Sequence, residues 1–171
     1  MERPTRIAFA AIVGALGAIA WFTVLRHTTA QGTPAAAATQ APSTDQFTNS
    51  LNEITGEEAA IAKRDIEVSA ATILKPHPTR QDEQAYAVQL LHESVQWQAI
   101  AQRYEGLKAA KWEKIRNYHV DHAMNQAKTD RAWSDALMHG DKDAADRAVE
   151  DGRKRDQDLD QSMARSGVSR S

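Results

Sequence analysis

The sequence predicts an all-α protein: an N-terminal transmembrane helix, a disordered linker, then a long antiparallel helical hairpin or small helical bundle. Three observations predict it. Residues 7–25 (IAFAAIVGALGAIAWFTVL) run uncharged for nineteen positions. Residues 27–44 (HTTAQGTPAAAATQAPST) hold no large apolar side chain and no Asp, Glu, Lys or Arg. Beyond them, apolar residues recur at helical spacing, and the whole 171-residue chain has only 8 Gly and 5 Pro. Scarce helix breakers with abundant Ala, Gln, Glu, Asp, Lys and Arg are the composition of solvated helices.

The uncharged run comes first. At 1.5 Å per residue it spans about 28 Å, close to the roughly 30 Å hydrocarbon core of a bilayer. Arg3 and Arg6 precede it, Arg26 and His27 follow, and no other Lys or Arg occurs before Lys63. This flank bias favours a cytoplasmic N-terminus. The expected location is a bacterial inner membrane, crossed once, with the C-terminal domain in the periplasm. A cleaved signal peptide is the alternative, since Thr28-Thr29-Ala30 offers small residues at cleavage spacing. Signal h-regions of 7–15 residues are shorter than this run, which favours an anchor occupying residues 1–26. Ala10, Gly14 and Ala18 recur every four residues and would let two membrane helices approach. The linker, residues 27–44, reaches about 25 Å as a flexible chain and acts as a tether.

Residues 45–160 form the predicted helical domain, with a loose tail over 161–171. Ser43-Thr44-Asp45 offers an N-cap. Phe47, Leu51, Ile54, Ile61 and Val68 then follow at spacings of 4, 3, 7 and 7, interrupted by Glu58 and Asp65 where the apolar seam would continue. A first helix over about 44–74 results, ended by Lys75-Pro76-His77-Pro78, because proline lacks the N–H and disfavours helix before it. Thr79 is the next N-cap. The second helix is expected over about 80–128, on a stripe of Tyr86, Leu90, Trp97, Ile100, Tyr104, Leu107, Trp112 and Ile115 with spacings of 4, 7, 3, 4, 3, 5 and 3. A third segment covers about 130–138. His139-Gly140-Asp141 reads as a left-handed C′ glycine followed by an N-cap. The last helix starts near Lys142 and is expected to fray after Gly152, where charge and Gln dominate.

The residues exclude several chemistries. With no cysteine, a thiol nucleophile, a disulfide and a Cys-ligated metal are impossible. A net charge of −2 gives no electrostatic footprint for nucleic acid. His92-Glu93-Ser94-Val95-Gln96 is half of a zinc-protease HExxH motif, with Gln96 in place of the second histidine. Residues 156–167 open like an EF-hand loop but place Gln161 and Gly167 where Gly and Glu are required. His119 and His122, three apart on one helix side, are the candidate metal ligands, with Asp121 or a distant Glu to complete the shell. No GxSxG elbow, phosphate loop or dinucleotide fingerprint occurs. The chain therefore reads as a non-enzyme without a cofactor.

The expected function is a membrane-tethered interaction protein, an accessory or structural subunit of a bacterial envelope complex of the secretion, conjugation or division type. Its partner surface is expected on Phe47, Leu51, Ile54, Ile61, Trp97, Tyr104 and Trp112. A lone hairpin with this apolar inventory is marginal, so a partner helix from another protein or a second copy would complete its core. Two alternatives stand beside it: a periplasmic metal-binding or sensor module using His119 and His122, and a phage-type membrane-anchored lysis accessory.

Overall fold

The computed structural model describes residues 44–108 and 112–166. The apolar run 7–25, the linker up to residue 43 and residues 167–171 lie outside them. The described residues are all-α, with four helices and no strand: α1 Thr44–Ala71, α2 Arg80–Glu105, α3 Glu113–His139 and α4 Lys142–Arg165. None of these is long and apolar enough to cross a membrane.

Each helix runs antiparallel to the one before it, and cross-helix contacts fix the register. Arg103 near the end of α2 pairs with Glu53 and Glu57 in the first half of α1. Tyr86 near the start of α2 donates to Asp65 near the end of α1 at 2.6 Å. At the other interface, Tyr104 stacks on His119 and Ser134 donates to the Ala87 carbonyl at 2.6 Å. Tyr118 of α3 donates to Asp160 of α4 at 2.7 Å, while Ala136 and Ala145 share a core cluster at the opposite end. The result is a helical bundle in which sequence neighbours are spatial neighbours.

The α2–α3 pair is the most extensive interface. Its composition explains this. Ala87, Ser94 and Ala101 recur every seven residues on α2, and Ala123, Ala127 and Ser134 face them from α3, all buried. Small side chains let two helix backbones approach closely. The larger apolar residues then pack above and below that seam. One cluster joins Phe47, Leu51, Ile54 and Ile61 to Trp97, Ile100 and Tyr104, and another joins Tyr86, Leu90 and Trp133 to Ala145 and Ala148. Helix α1 keeps its backbone close to α2 alone, yet its apolar side chains reach the alanines of α3.

Several local signals act as the sequence implies. Thr79 caps α2 in a full capping box with Asp82, which also receives Lys75 Nζ at 2.7 Å. Gly140 terminates α3 at φ 74°, and Asp141 caps α4 through Ala144 N at 2.9 Å. Gly56 lies within α1 without interrupting it.

Two expectations are corrected. The continuous helix over 80–128 is two helices. The five-residue step from Leu107 to Trp112 breaks the period, and the chain turns back at Gly106 so that Trp112 stacks on Phe47, with ring centroids 6.1 Å apart. Arg116 of α3 closes this end by donating to the Leu107 carbonyl at 3.3 Å, and Arg80 closes the other by capping the Leu137 and Met138 carbonyls. The second correction concerns α4, which does not fray after Gly152 but continues to Arg165. Its buried face is made of Ala145, Ala148, Gly152 and Met163, with polar contacts between, so a search for large apolar residues misses it.

Gly152 is where α4 comes nearest to α3. A methyl group there would fall 2.4 Å from Thr129 Oγ1 and 2.7 Å from Thr129 Cγ2. Gly152→Ala is therefore expected to destabilise the bundle by about 1–3 kcal/mol, although alanine is the better helix former. Ala127→Leu, which overfills the α2–α3 seam, is expected to cost at least about as much. Urea denaturation of the two variants checks both; unchanged midpoints would refute the close approach of these backbones.

Candidate functional site

Two polar clusters are buried between the helices, and an uncharged face lies outside them. The first cluster contains the histidine pair. His119 stacks on the Tyr104 ring at 4.8 Å between centroids, and burial lowers its pKa to about 4, aided by the neighbouring His122. His122 sits between α2, α3 and α4. Its ring meets Trp97 edge-on at 6.3 Å, and its Nδ1 lies 3.4 Å from Asp156 Oδ1. Burial alone would push His122 down, but Asp156, Glu58 and Asp160 together hold its pKa above the usual value.

Glu58 reaches the same place from α1 with 4% of its surface exposed. Burial raises its pKa, opposed by His122 and the Tyr104 hydroxyl. That hydroxyl faces Glu58 without closing a well-formed hydrogen bond, and Glu58 Oε1 is likewise without one. Asp156 is held by Gln126 Nε2 at 2.9 Å and by Asn125 Nδ2. The structure thus brings His119 and His122 onto the inner side of α3 and engages them with an aromatic ring and a carboxylate. Among the described residues, no group of three or more His, Asp or Glu converges at a spacing that could hold a metal ion.

The second cluster collects three carboxylates. Asp65 comes from α1, Glu93 from α2 and Asp130 from α3. Burial raises all three; Asp65 raises Glu93 further, and Glu93 and Asp65 raise Asp130. Glu93 reaches about 7, with the hydrogen bond from Gln89 Nε2 at 2.6 Å acting in the opposite direction. The Tyr86 hydroxyl serves Asp65, while Asp130 Oδ2 is buried without a hydrogen-bond partner. Burial beside other carboxylates disfavours the ionised form, because ionisation would leave several charges together in a poorly solvated space.

The residues assigned to a partner surface are placed inside the chain. Phe47, Leu51, Ile54, Ile61, Trp97 and Tyr104 are buried in one intramolecular cluster, and Trp112 packs against it. α3 supplies the helix that the hairpin lacked. The surface without an intramolecular cover is the outer side of α2. Val88, Leu91 and Val95 are 61%, 47% and 59% exposed, one helical turn apart. Gln81, Gln84, Ala85, His92, Gln98, Ala99 and Gln102 share their side of the helix. From residue 84 to residue 102 the only Asp, Glu, Lys or Arg is Glu93, which is buried on the opposite side. The stripe runs about 32 Å along the helix. In the sequence this stripe is weaker than that of Tyr86, Leu90 and Trp97, and its signal is the charge-free run.

The chain matches no family model, no curated protein and no solved structure.

The ionisable groups set a pH dependence with a definite sign. Glu58, Asp65, Glu93, Asp130 and His122 all hold a proton more tightly folded than unfolded. As pH rises, the unfolded chain releases these protons first, so each group's contribution falls until its folded value is passed. For Glu93 that window runs from 4.5 to about 7. His119 acts oppositely, its contribution being lost as pH falls from 6.5 to about 4. Five groups outweigh one, and the bundle is expected to be more stable near pH 5 than near pH 8, by about 2–3 kcal/mol from Glu93 alone. Glu93→Gln should raise the melting temperature near pH 8 and flatten the slope. Thermal melts followed by circular dichroism check this; a melting temperature rising from pH 5 to pH 8 would contradict it.

Proposed function

We propose that this chain is a membrane-tethered helical interaction protein, an accessory or structural subunit of a bacterial envelope complex. Residues 1–26 anchor it, residues 27–44 tether it, and the bundle presents a docking face on the periplasmic side. The observation that carries this reading is the outer face of α2, where Val88, Leu91 and Val95 stand exposed in a charge-free stripe. Single exposed apolar residues are ordinary, but three in register on an uncharged helix face resemble the apolar seam by which one helix packs on another. Among the described residues, the rest of the surface offers no equivalent. Lys63 and Glu67 interrupt the outer side of α1, Lys128, Arg131 and Asp135 that of α3, and Arg147, Asp151, Lys154 and Asp158 that of α4.

Tethering complements a face of this size. An anchor confines the bundle near its partner and raises effective concentration, so a modest contact suffices for occupancy. The two buried polar clusters lie within the bundle and serve its architecture in this reading.

Membrane extraction and photo-cross-linking test the proposal on the full chain in its native membrane. The protein is expected to stay with the membrane through an alkaline carbonate wash and to become soluble when residues 1–26 are removed. A photo-cross-linking amino acid in place of Val88 is expected to give a discrete adduct, and the same group in place of exposed Asp135 none. Equal labelling at the two positions, or no adduct at either, would refute α2 as the docking face.

A further inference from the structure

We propose that the end of α1 beside the turn, residues 65–78, is a pH-sensitive gate: it lies closed over α2 and α3 in acid and opens as Asp65, Glu93 and Asp130 lose their protons, while the first half of α1 stays docked. The gate does not depend on the outer face of α2.

Packing divides α1 into two unequal parts. Phe47, Leu51, Ile54 and Ile61 are at most 7% exposed and belong to one core cluster. Beyond Ile61 no apolar side chain of α1 or the turn is fully buried. Val68 and Ile73 are partly covered, and Ile66 and Leu74 are 42% and 36% exposed. Little apolar contact is therefore lost if this end lifts. The turn that follows is strained. His77 has φ 60°, a left-handed conformation in a residue that precedes proline, which favours extended backbone there. Such backbone persists only where surrounding contacts hold it. Here they are the bond from Lys75 Nζ to Asp82 at 2.7 Å and the docked end of α1 itself.

The tie that keeps this end down is polar. Asp65 accepts from the Tyr86 hydroxyl at 2.6 Å. It lies close enough to Glu93 of α2 and Asp130 of α3 for its charge to act on both, and Glu93 acts on Asp130. The cation that acts on Glu93 is Arg64, which is exposed. α4 meets this end of the bundle through Ala144, Ala145, Ala148 and Val149, none of them charged. Three negative charges in this space repel one another and stay poorly solvated. Lifting the end of α1 separates Asp65 from the other two and lets water reach them. It also gives solvent to Asp130 Oδ2, which is buried without a hydrogen-bond partner. The sign follows from Glu93, which burial raises from 4.5 to about 7. The closed form binds that proton more tightly, so closure is fully favoured below 4.5 and loses this advantage as pH rises through about 7.

Native-state hydrogen exchange on the full chain, at a series of low urea concentrations, tests the gate. A local opening exposes little surface and responds weakly to urea, whereas unfolding of the whole bundle responds steeply. Amides of residues 66–74 are expected to exchange with a shallow urea slope. Their protection, corrected for the pH dependence of chemical exchange, should fall at least about tenfold from pH 5 to pH 8. Amides of residues 51–61 and 123–136 should be better protected at both pH values and show the steep slope. Glu93→Gln and Asp130→Asn, each neutral in place of a buried acid, should make the fall at residues 66–74 at least about threefold smaller. Glu67→Gln, which neutralises an exposed acid on the same part of α1, should leave it intact.

A urea slope at residues 66–74 as steep as that at residues 123–136 would overturn the local gate, because the bundle would then open as a whole. Protection unchanged between pH 5 and pH 8 would overturn its control by pH. So would an undiminished fall in folded Glu93→Gln and Asp130→Asn chains, because the acids would then not be the groups that open it.

Discussion

The close approach of α2 and α3 is the constraint on which the other contacts depend. Ala87, Ser94 and Ala101 on one helix meet Ala123, Ala127 and Ser134 on the other, and the Ser134 hydroxyl bonds directly to a backbone carbonyl of its neighbour. Van der Waals contact over such a seam is dense because little side chain stands between the backbones. Once α2 and α3 are held this near, Tyr86 and Trp133 meet edge-on at 5.2 Å at one end, and Tyr104 stacks on His119 at the other. α1 and α4 then dock on the two flanks of a pair that is already formed.

The flanking helices are placed by polar contacts as much as by apolar ones. Carboxylates at seam positions of α1 would be a simple defect if nothing answered them. Glu58 instead faces Tyr104 and His122, and Asp65 takes the Tyr86 hydroxyl. A slip of α1 by one turn, about 5.4 Å, would separate both acids from their partners while leaving most apolar contacts replaceable. On α4, Asp156 fills the same role through Asn125, Gln126 and His122. Burying these groups costs solvation energy, and the return is a register that apolar stripes alone define loosely.

Much of this was legible in the residues, and the rest was hidden for physical reasons. The all-helical class, the turn at Lys75–Pro78, the Thr79 cap and the Gly140-Asp141 punctuation follow from local backbone chemistry, which acts within a few residues. The break after Glu105 is tertiary: no proline or strong cap marks it, and only the five-residue step to Trp112 betrays it. The full length of α4 is hidden because small residues bury a face without looking hydrophobic. Glu58 and Asp65 were visible as interruptions of a seam, but their partners lie on other helices, and only the fold brings those together. His119 and His122, three residues apart, share one side of α3; what they face, a tyrosine ring and an aspartate, depends on α2 and α4.

The sequential packing of the bundle has a mechanical consequence. α1 rests on α2 with far less backbone proximity than α2 shares with α3 or α3 with α4. Cooperative units with few close contacts open at lower free energy than the body they rest on. α1 is also the helix joined directly to the N-terminal segment, so any tension drawn through that segment enters the bundle at its least secured element. Pulling would peel α1 first, baring Glu58 and Asp65 to water, while the α2–α3–α4 body and the outer face of α2 kept their shape. The order in which the chain gives way under load is thus set by the order in which its helices are strung.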